Sequence, residues 1–238
     1  MASRRAGPGA LALALTLLIA AGCGRQEARP AIKRPALGLM SSLPLYWGEA
    51  GTTFGAVLTP GAEPDWVRMA LEERYALVPL DALDAAGLAP LRLLLLAQPR
   101  PLSPRENVVL DDWVRGGGRV LVLADPLLTR HSRFAPGDPR RPLDVALLSP
   151  ILARWGLKLR FEDKGGAGAT DLAGTRLPLD EAGTLHATAG SSCRALAGAV
   201  AMRCPIGRGE VVVFADAAIL DDPEHRPALR ALLKAAFG

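Results

Sequence analysis

Two aspartates each close an apolar run in this chain of 238 residues: Asp125 follows Arg119–Ala124 and Asp216 follows Glu210–Ala215. A carboxylate at the exit of a buried parallel strand sits where open α/β sheets bind their ligands. Two such groups in one cleft would serve as acid and base, or as metal ligands. Glu49, beyond the first apolar run, is the third candidate. The plain alternative is that each Asp caps a turn or the helix that follows, and the sequence favours it. Asp221-Asp222-Pro223-Glu224-His225 gathers three carboxylates and a histidine. Acidic residues at a helix start already complement its dipole, so neither metal nor cofactor is expected. His131 and His186 belong to no paired motif, and neither His-Glu-x-x-His nor Gly-x-Ser-x-Gly occurs. Lys164–Thr170 is rich in glycine but lacks the Gly-Lys-Ser/Thr ending of a phosphate loop, and reads as a flexible connection. Tyr46 and Trp47 follow the first apolar run in a loop, where they either line a binding edge or plug the core.

Cysteine is the other reactive type, with three copies at 23, 193 and 204. Arg4 and Arg5 precede an apolar stretch from Ala10 to Ala21. That stretch is shorter than the roughly 20 residues a bilayer-spanning helix needs, and it fits the core of a secretory signal. It ends Ile19-Ala20-Ala21-Gly22-Cys23, with small residues before the cysteine. This resembles the bacterial lipobox, in which the cysteine receives fatty-acyl chains such as palmitate and becomes the new N-terminus. The resemblance implies a signal over 1–22, a lipidated tether over 23–35 and a periplasmic protein held to a membrane by Cys23. Gly24 in place of Asp favours the outer membrane. Export would place Cys193 and Cys204 in an oxidising compartment, where a pair tends to bridge. The segment between them contains Gly198 and can turn back as a hairpin, so a disulfide is expected.

The elements that would position these residues are legible from periodicity. Half of the residues are apolar and 5% aromatic, so the core must be built from Leu, Val and Ala. Ala36–Met40 reads as a strand, Asp65–Arg74 as an amphipathic helix, Tyr75–Leu80 as a strand and Leu91–Ala97 as a strand covered on both faces. Ser103-Pro104-Arg105-Glu106 is a capping box opening a helix that Gly116-Gly117-Gly118 ends. Arg119–Ala124 is the next buried strand. Ser149–Trp155 reads as a short helix, Leu157–Phe161 as a strand and Glu210–Ala215 as the last buried strand. A terminal helix opens at Asp222-Pro223. Residues of about 163–209 alternate in short pieces, as expected for an antiparallel β-rich insertion. The class is α/β, a single domain over 36–238. Its mostly parallel sheet has flanking helices in a flavodoxin-like or class I amidotransferase-like layer, with a small antiparallel extension. Lysine and arginine number 28 against 24 acids, a net +4, and the cations are scattered with no aromatic platform. Nucleic acid is therefore not expected as a partner.

Three stretches carry a family resemblance: Leu91–Gln98 followed by Pro101-Leu102-Ser103, then Asp111–Pro126, and Gly207–Asp216. They are similar to the glutamine-amidotransferase-like domain of auxiliary proteins of uncharacterised ABC transport systems, the gliding-motility auxiliary type. The resemblance implies the fold and an auxiliary or binding role with a protein partner in the envelope. Amidotransferases need a nucleophilic cysteine on the turn after a buried strand, and Arg119–Ala124 runs into Asp125 instead. The expectation is a non-catalytic lipoprotein. The alternative is an envelope hydrolase using Asp125, Asp216 and Glu49.

Overall fold

The computed structural model describes residues 34–48, 64–162 and 166–238. Cys23, the leader, residues 23–33 of the tether and Glu49 lie outside the described residues. Strands β1 (Ala36–Ser41), β2 (Ala76–Pro79), β3 (Leu93–Ala97) and β4 (Arg119–Leu123) alternate with helices α1 (Trp66–Glu72), α2 (Ala85–Leu88) and α3 (Pro104–Arg115). Helix α4 (Ser149–Arg154) and strand β5 (Leu157–Arg160) follow. A β-rich stretch comes next, with β6 (Ala167–Leu172), β7 (Thr175–Asp180), β8 (Thr184–Ala187), β9 (Arg194–Ala197) and β10 (Ala201–Ile206). Strand β11 (Gly209–Phe214) and helix α5 (Arg226–Phe237) complete the described chain.

A seven-stranded sheet runs in the order β2-β1-β3-β4-β11-β10-β9. From β2 to β11 neighbouring strands are parallel, while β10 and β9 add an antiparallel edge. Leu95 pairs in register with Leu121, and Leu121 with Val212. Alternation along the strands then divides the core. Leu37, Leu95, Leu121 and Val212 point to one side, against Val67 and Leu71 of α1 and Leu229 and Leu232 of α5. Leu94, Val120 and Val211 point to the other, against Leu110 and Val114 of α3 and Ile151 and Leu152 of α4. Both faces being covered explains the nearly unbroken apolar runs.

Helix α3 is fixed at both ends. Ser103 and Glu106 form the reciprocal capping box. The Glu106 carboxylate also accepts from the backbone N–H of Leu83 at 3.1 Å and meets Arg100 at 2.7 Å. Arg100 and these amides hold its pKa down at about 2. Near the other end Asp111, fully buried, binds Arg115 at 3.0 Å, Arg154 at 2.7 Å and the indole N–H of Trp155 at 3.2 Å. Burial works against its charge, yet the two guanidiniums keep its pKa low. One carboxylate thereby ties α4 to α3.

The glycines at 116–118 and at 209 meet in space. Arg208 N–H donates to Arg115 O at 3.0 Å and Glu210 N–H to Gly118 O at 3.2 Å. A Cβ on Gly209 would lie 2.1 Å from Val114 O and 2.2 Å from Gly118 O. Backbone thus packs directly on backbone where the turn before β11 crosses the end of α3.

In the β-rich stretch, β6 and β7 form one hairpin, and β5 and β8 pair antiparallel. Two expectations need correction. The glycine-rich stretch is not a connection throughout, because β6 begins at Ala167; alternation with β7 supplies ladder bonds that composition does not announce. The terminal helix does not open at Asp222-Pro223, which form a separate 3-10 turn with Glu224 and His225 before α5. The cysteine pair forms as expected: Arg194 faces Arg203 across the β9–β10 ladder, so Cys193 faces Cys204, and the two are disulfide-bonded.

Replacing Gly209 with Ala should cost about 1–3 kcal/mol by overpacking, whereas Gly168→Ala, with open space around it, should change stability by less than about 0.5 kcal/mol. Urea titration of both variants checks this. The disulfide closes a short loop, its cysteines being 11 residues apart. Its removal by a double Cys193→Ser and Cys204→Ser change should lower the unfolding free energy by about 3 kcal/mol, read in the same titration with and without reductant.

Candidate functional site

The exits of the parallel strands form one edge of the sheet, and the sequence candidates Asp125 and Asp216 both arrive there. They are 1% and 0% exposed. Asp125 accepts from Leu127 N–H at 2.9 Å through one oxygen and from Ala217 N–H at 3.1 Å through the other. Asp216 accepts from Ala218 N–H at 2.7 Å and from Asp180 N–H at 2.8 Å. Each oxygen of both carboxylates therefore holds a backbone amide. Asp125 fastens the exit of β4 to that of β11, and Asp216 fastens the end of β7 over β11. These are the turn-capping roles that short acidic side chains perform.

Burial pushes Asp125 up to about 6 against the pull of its two amides, with Asp221 and Asp180 adding to the rise. Burial pushes Asp216 higher, to about 7, and the charge of Asp125 adds to it. Asp221 is raised by burial as well, while Arg130 and His225 oppose the rise. The carboxylates are thus close enough to repel one another. Among the described residues no group of three or more His, Cys, Asp or Glu is placed to hold a metal.

Gln98, which nothing in the sequence singled out, is the centre of this edge. It follows β3, is fully buried and has φ of 45°, in the left-handed region. Its Oε1 accepts from Asp125 N–H at 2.9 Å, and its Nε2 donates to Asp125 O at 3.1 Å and to Leu143 O at 3.1 Å. Its own carbonyl accepts from Ser42 N–H at 3.0 Å. Ser41 Oγ donates to Ala97 O at 2.7 Å. Between β1 and β3, where the strand order reverses, the crevice is therefore closed by hydrogen bonds. The stretch 126–148, which has no regular elements, lies over the neighbouring exits: Ala146 N–H donates to Asp125 O at 2.8 Å. Arg130 within it binds Leu220 O and the α1 cap Asp65, both at 2.9 Å.

Tyr46 and Trp47 part company. Leu43 and Leu45 before them are buried and plug the edge. Tyr46 packs against the core under Arg68, whose guanidinium lies 4.3 Å above its ring. Trp47 is 77% exposed, its ring edge-on to Tyr46. A shallow hollow of about 70 Å³ beside them is lined by Ser41, Pro79 and Asp81. His131 and His186 are both exposed, and neither adjoins the aspartates by any hydrogen bond. His225 is engaged with Ala218 O at 2.9 Å.

A profile of the family described as an ABC-type uncharacterized transport system matches residues 34–163, more than half of the chain. No curated protein matches. Among solved structures, a cytoplasmic protein of Salmonella typhimurium LT2 is 13% identical, with a TM-score of 0.52 over 85% of this chain and 99% of that one. An exo-β-1,4-mannosidase of Opitutaceae bacterium strain TAV5 is also 13% identical, with a TM-score of 0.50 over 86% of this chain. The chain spans about a third of the mannosidase, 36% of its length. At such identities these are likenesses of fold.

The raised aspartates make stability depend on pH. The unfolded chain releases these protons near pH 4, whereas the folded chain keeps them to about 6 and 7. Protons bound only in the folded state make stability fall as pH rises through that window. Unfolding free energy should therefore drop between pH 4.5 and 7.5 in the native protein. The slope should be shallower in Asp216→Asn, whatever that variant's absolute stability, as read by denaturant titrations across the range.

Proposed function

This chain belongs to the ABC-type uncharacterized transport system family, and from that premise we propose that it is a non-catalytic auxiliary component anchored to a membrane by lipid on Cys23. The family match carries the transport assignment. The non-catalytic part is supported by the strand exits: β3, β4 and β11 lead into Gln98, Asp125 and Asp216. None of these is a nucleophile of the amidotransferase kind, and all three side chains are bound to backbone. The hydrolase alternative would need these carboxylates to meet a substrate, and their burial weighs against it. The strand order β2-β1-β3-β4-β11 supports a flavodoxin-like arrangement, of which the amidotransferase-like layer is the variant this chain would use. The partner would be a protein of the envelope, met on the periplasmic side, with the outer membrane favoured by Gly24. Among the described residues no helix is long and apolar enough to cross a membrane.

The anchor has a direct test. Native protein extracted from membranes should begin at Cys23 and carry the added mass of acyl chains, and Cys23→Ser should lose that mass along with incorporated labelled palmitate. A native protein that starts at Met1, or a processed one without added mass, would overturn it.

A further inference from the structure

The opposite edge of the sheet, where the parallel strands begin, has a different character. Arg34 precedes β1, Arg74 precedes β2, Arg92 precedes β3 and Arg119 opens β4, while Arg230 stands mid-way along α5 and Lys234 on its last turn. Pro35, Arg74, Tyr75, Arg230, Lys234 and Phe237 line one groove of about 300 Å³. Tyr75 and Phe237 meet edge to face within it, their ring centres 6.2 Å apart. Arg34 reaches the same place by donating to Glu72 O, and Arg119 by donating to Phe237 O at 2.9 Å.

Few of these charges are cancelled locally. Glu73 binds Arg226 and Arg230, both at 2.7 Å, and Arg119 meets Gly238 O and, at 4.0 Å, Glu210. Arg74, Arg92 and Lys234 are exposed, and no carboxylate among the described residues pairs with them. A cation at a helix C-terminus offsets the dipole, which accounts for Lys234. It does not account for Arg34, Arg92 and Arg119, which stand at strand starts.

The chain also enters the domain at this edge, through Arg34 and Pro35. The preceding sequence from Gly24 to Lys33 adds Arg25, Arg29 and Lys33 against one acid, Glu27. Arg34 lies eleven positions beyond Cys23, which bounds the reach of the connection at roughly 40 Å.

We propose that this edge rests on an anionic phospholipid surface, the basic residues around the Tyr75–Phe237 groove meeting lipid phosphates. The inference takes its orientation from the Cys23 anchor proposed above. A polybasic face beside a lipid chain is the second signal that makes such anchoring stable.

The test uses the full chain with Cys23→Ser, so that no acyl chain contributes, sedimented with vesicles of phosphatidylcholine alone or with added phosphatidylglycerol. The apolar leader is common to every variant, so the gain on adding phosphatidylglycerol is the quantity read. Lys234→Glu and Arg92→Glu each change the charge by two and should each cut that gain about 30-fold. Arg105→Glu makes the same change of charge on the first turn of α3, at the far edge, and should alter it less than twofold. Molar salt should abolish the gain. Equal losses for all three variants would reduce the effect to net charge and overturn the proposal, as would no loss for Lys234→Glu and Arg92→Glu. The mass measurement tests the anchor separately, so failure of either leaves the other standing.

Discussion

Gln98 binds the backbone of Asp125 in both directions, and the closed exit side of the sheet depends on that pairing. The four parallel strands β1, β3, β4 and β11, buried on both faces, leave their last amides and carbonyls far from water. Each of those groups costs about 1–3 kcal/mol if left without a partner. A glutamine amide presents an N–H and a C=O side by side, so toward Asp125 it substitutes for a missing strand residue, while its second N–H reaches Leu143 O. Holding Gln98 at positive φ costs backbone strain, and the hydrogen bonds gathered at this one residue offset it. Asp125 and Asp216 continue the same closure outward, one joining β4 to β11 and the other joining β7 to β11.

That use of the carboxylates bears on chemistry. A catalytic carboxylate must meet a substrate, and these two meet backbone N–H groups with both oxygens. Their raised pKa values follow from burial and mutual repulsion. Perturbed groups often mark active sites, but they also arise wherever a buried turn is capped by acid. The hydrogen-bond partners decide between the two cases, and here they are structural. The family to which the chain belongs is described as an ABC-type uncharacterized transport system.

The two edges of the sheet differ in charge because they differ in construction. The exit side turns its acids inward to cap turns. The starting side collects cations ahead of four strands and along the end of α5, where few acids fall within reach. The same side receives the polypeptide from its N-terminal segment.

Much of this was legible in the sequence. The apolar runs of β3, β4 and β11, the capping box at Ser103 and the stop at Gly116–Gly118 are local signals, set by side-chain burial and backbone geometry within a few residues. The cystine was legible too, because alternation on a hairpin places residues 193 and 204 opposite each other. Only the tertiary structure decided the rest. Gln98 has no local signature, since its role arises from the arrival of Asp125, 27 residues later, at hydrogen-bonding distance. The joining of β9 and β10 to the main sheet, the Asp111 link between α3 and α4, and the covering of the exits by residues 126–148 likewise depend on partners distant in sequence. Periodicity reports which face of an element is buried. It carries no information about which other element buries it, and that pairing turned the two aspartates from a candidate acid–base pair into caps.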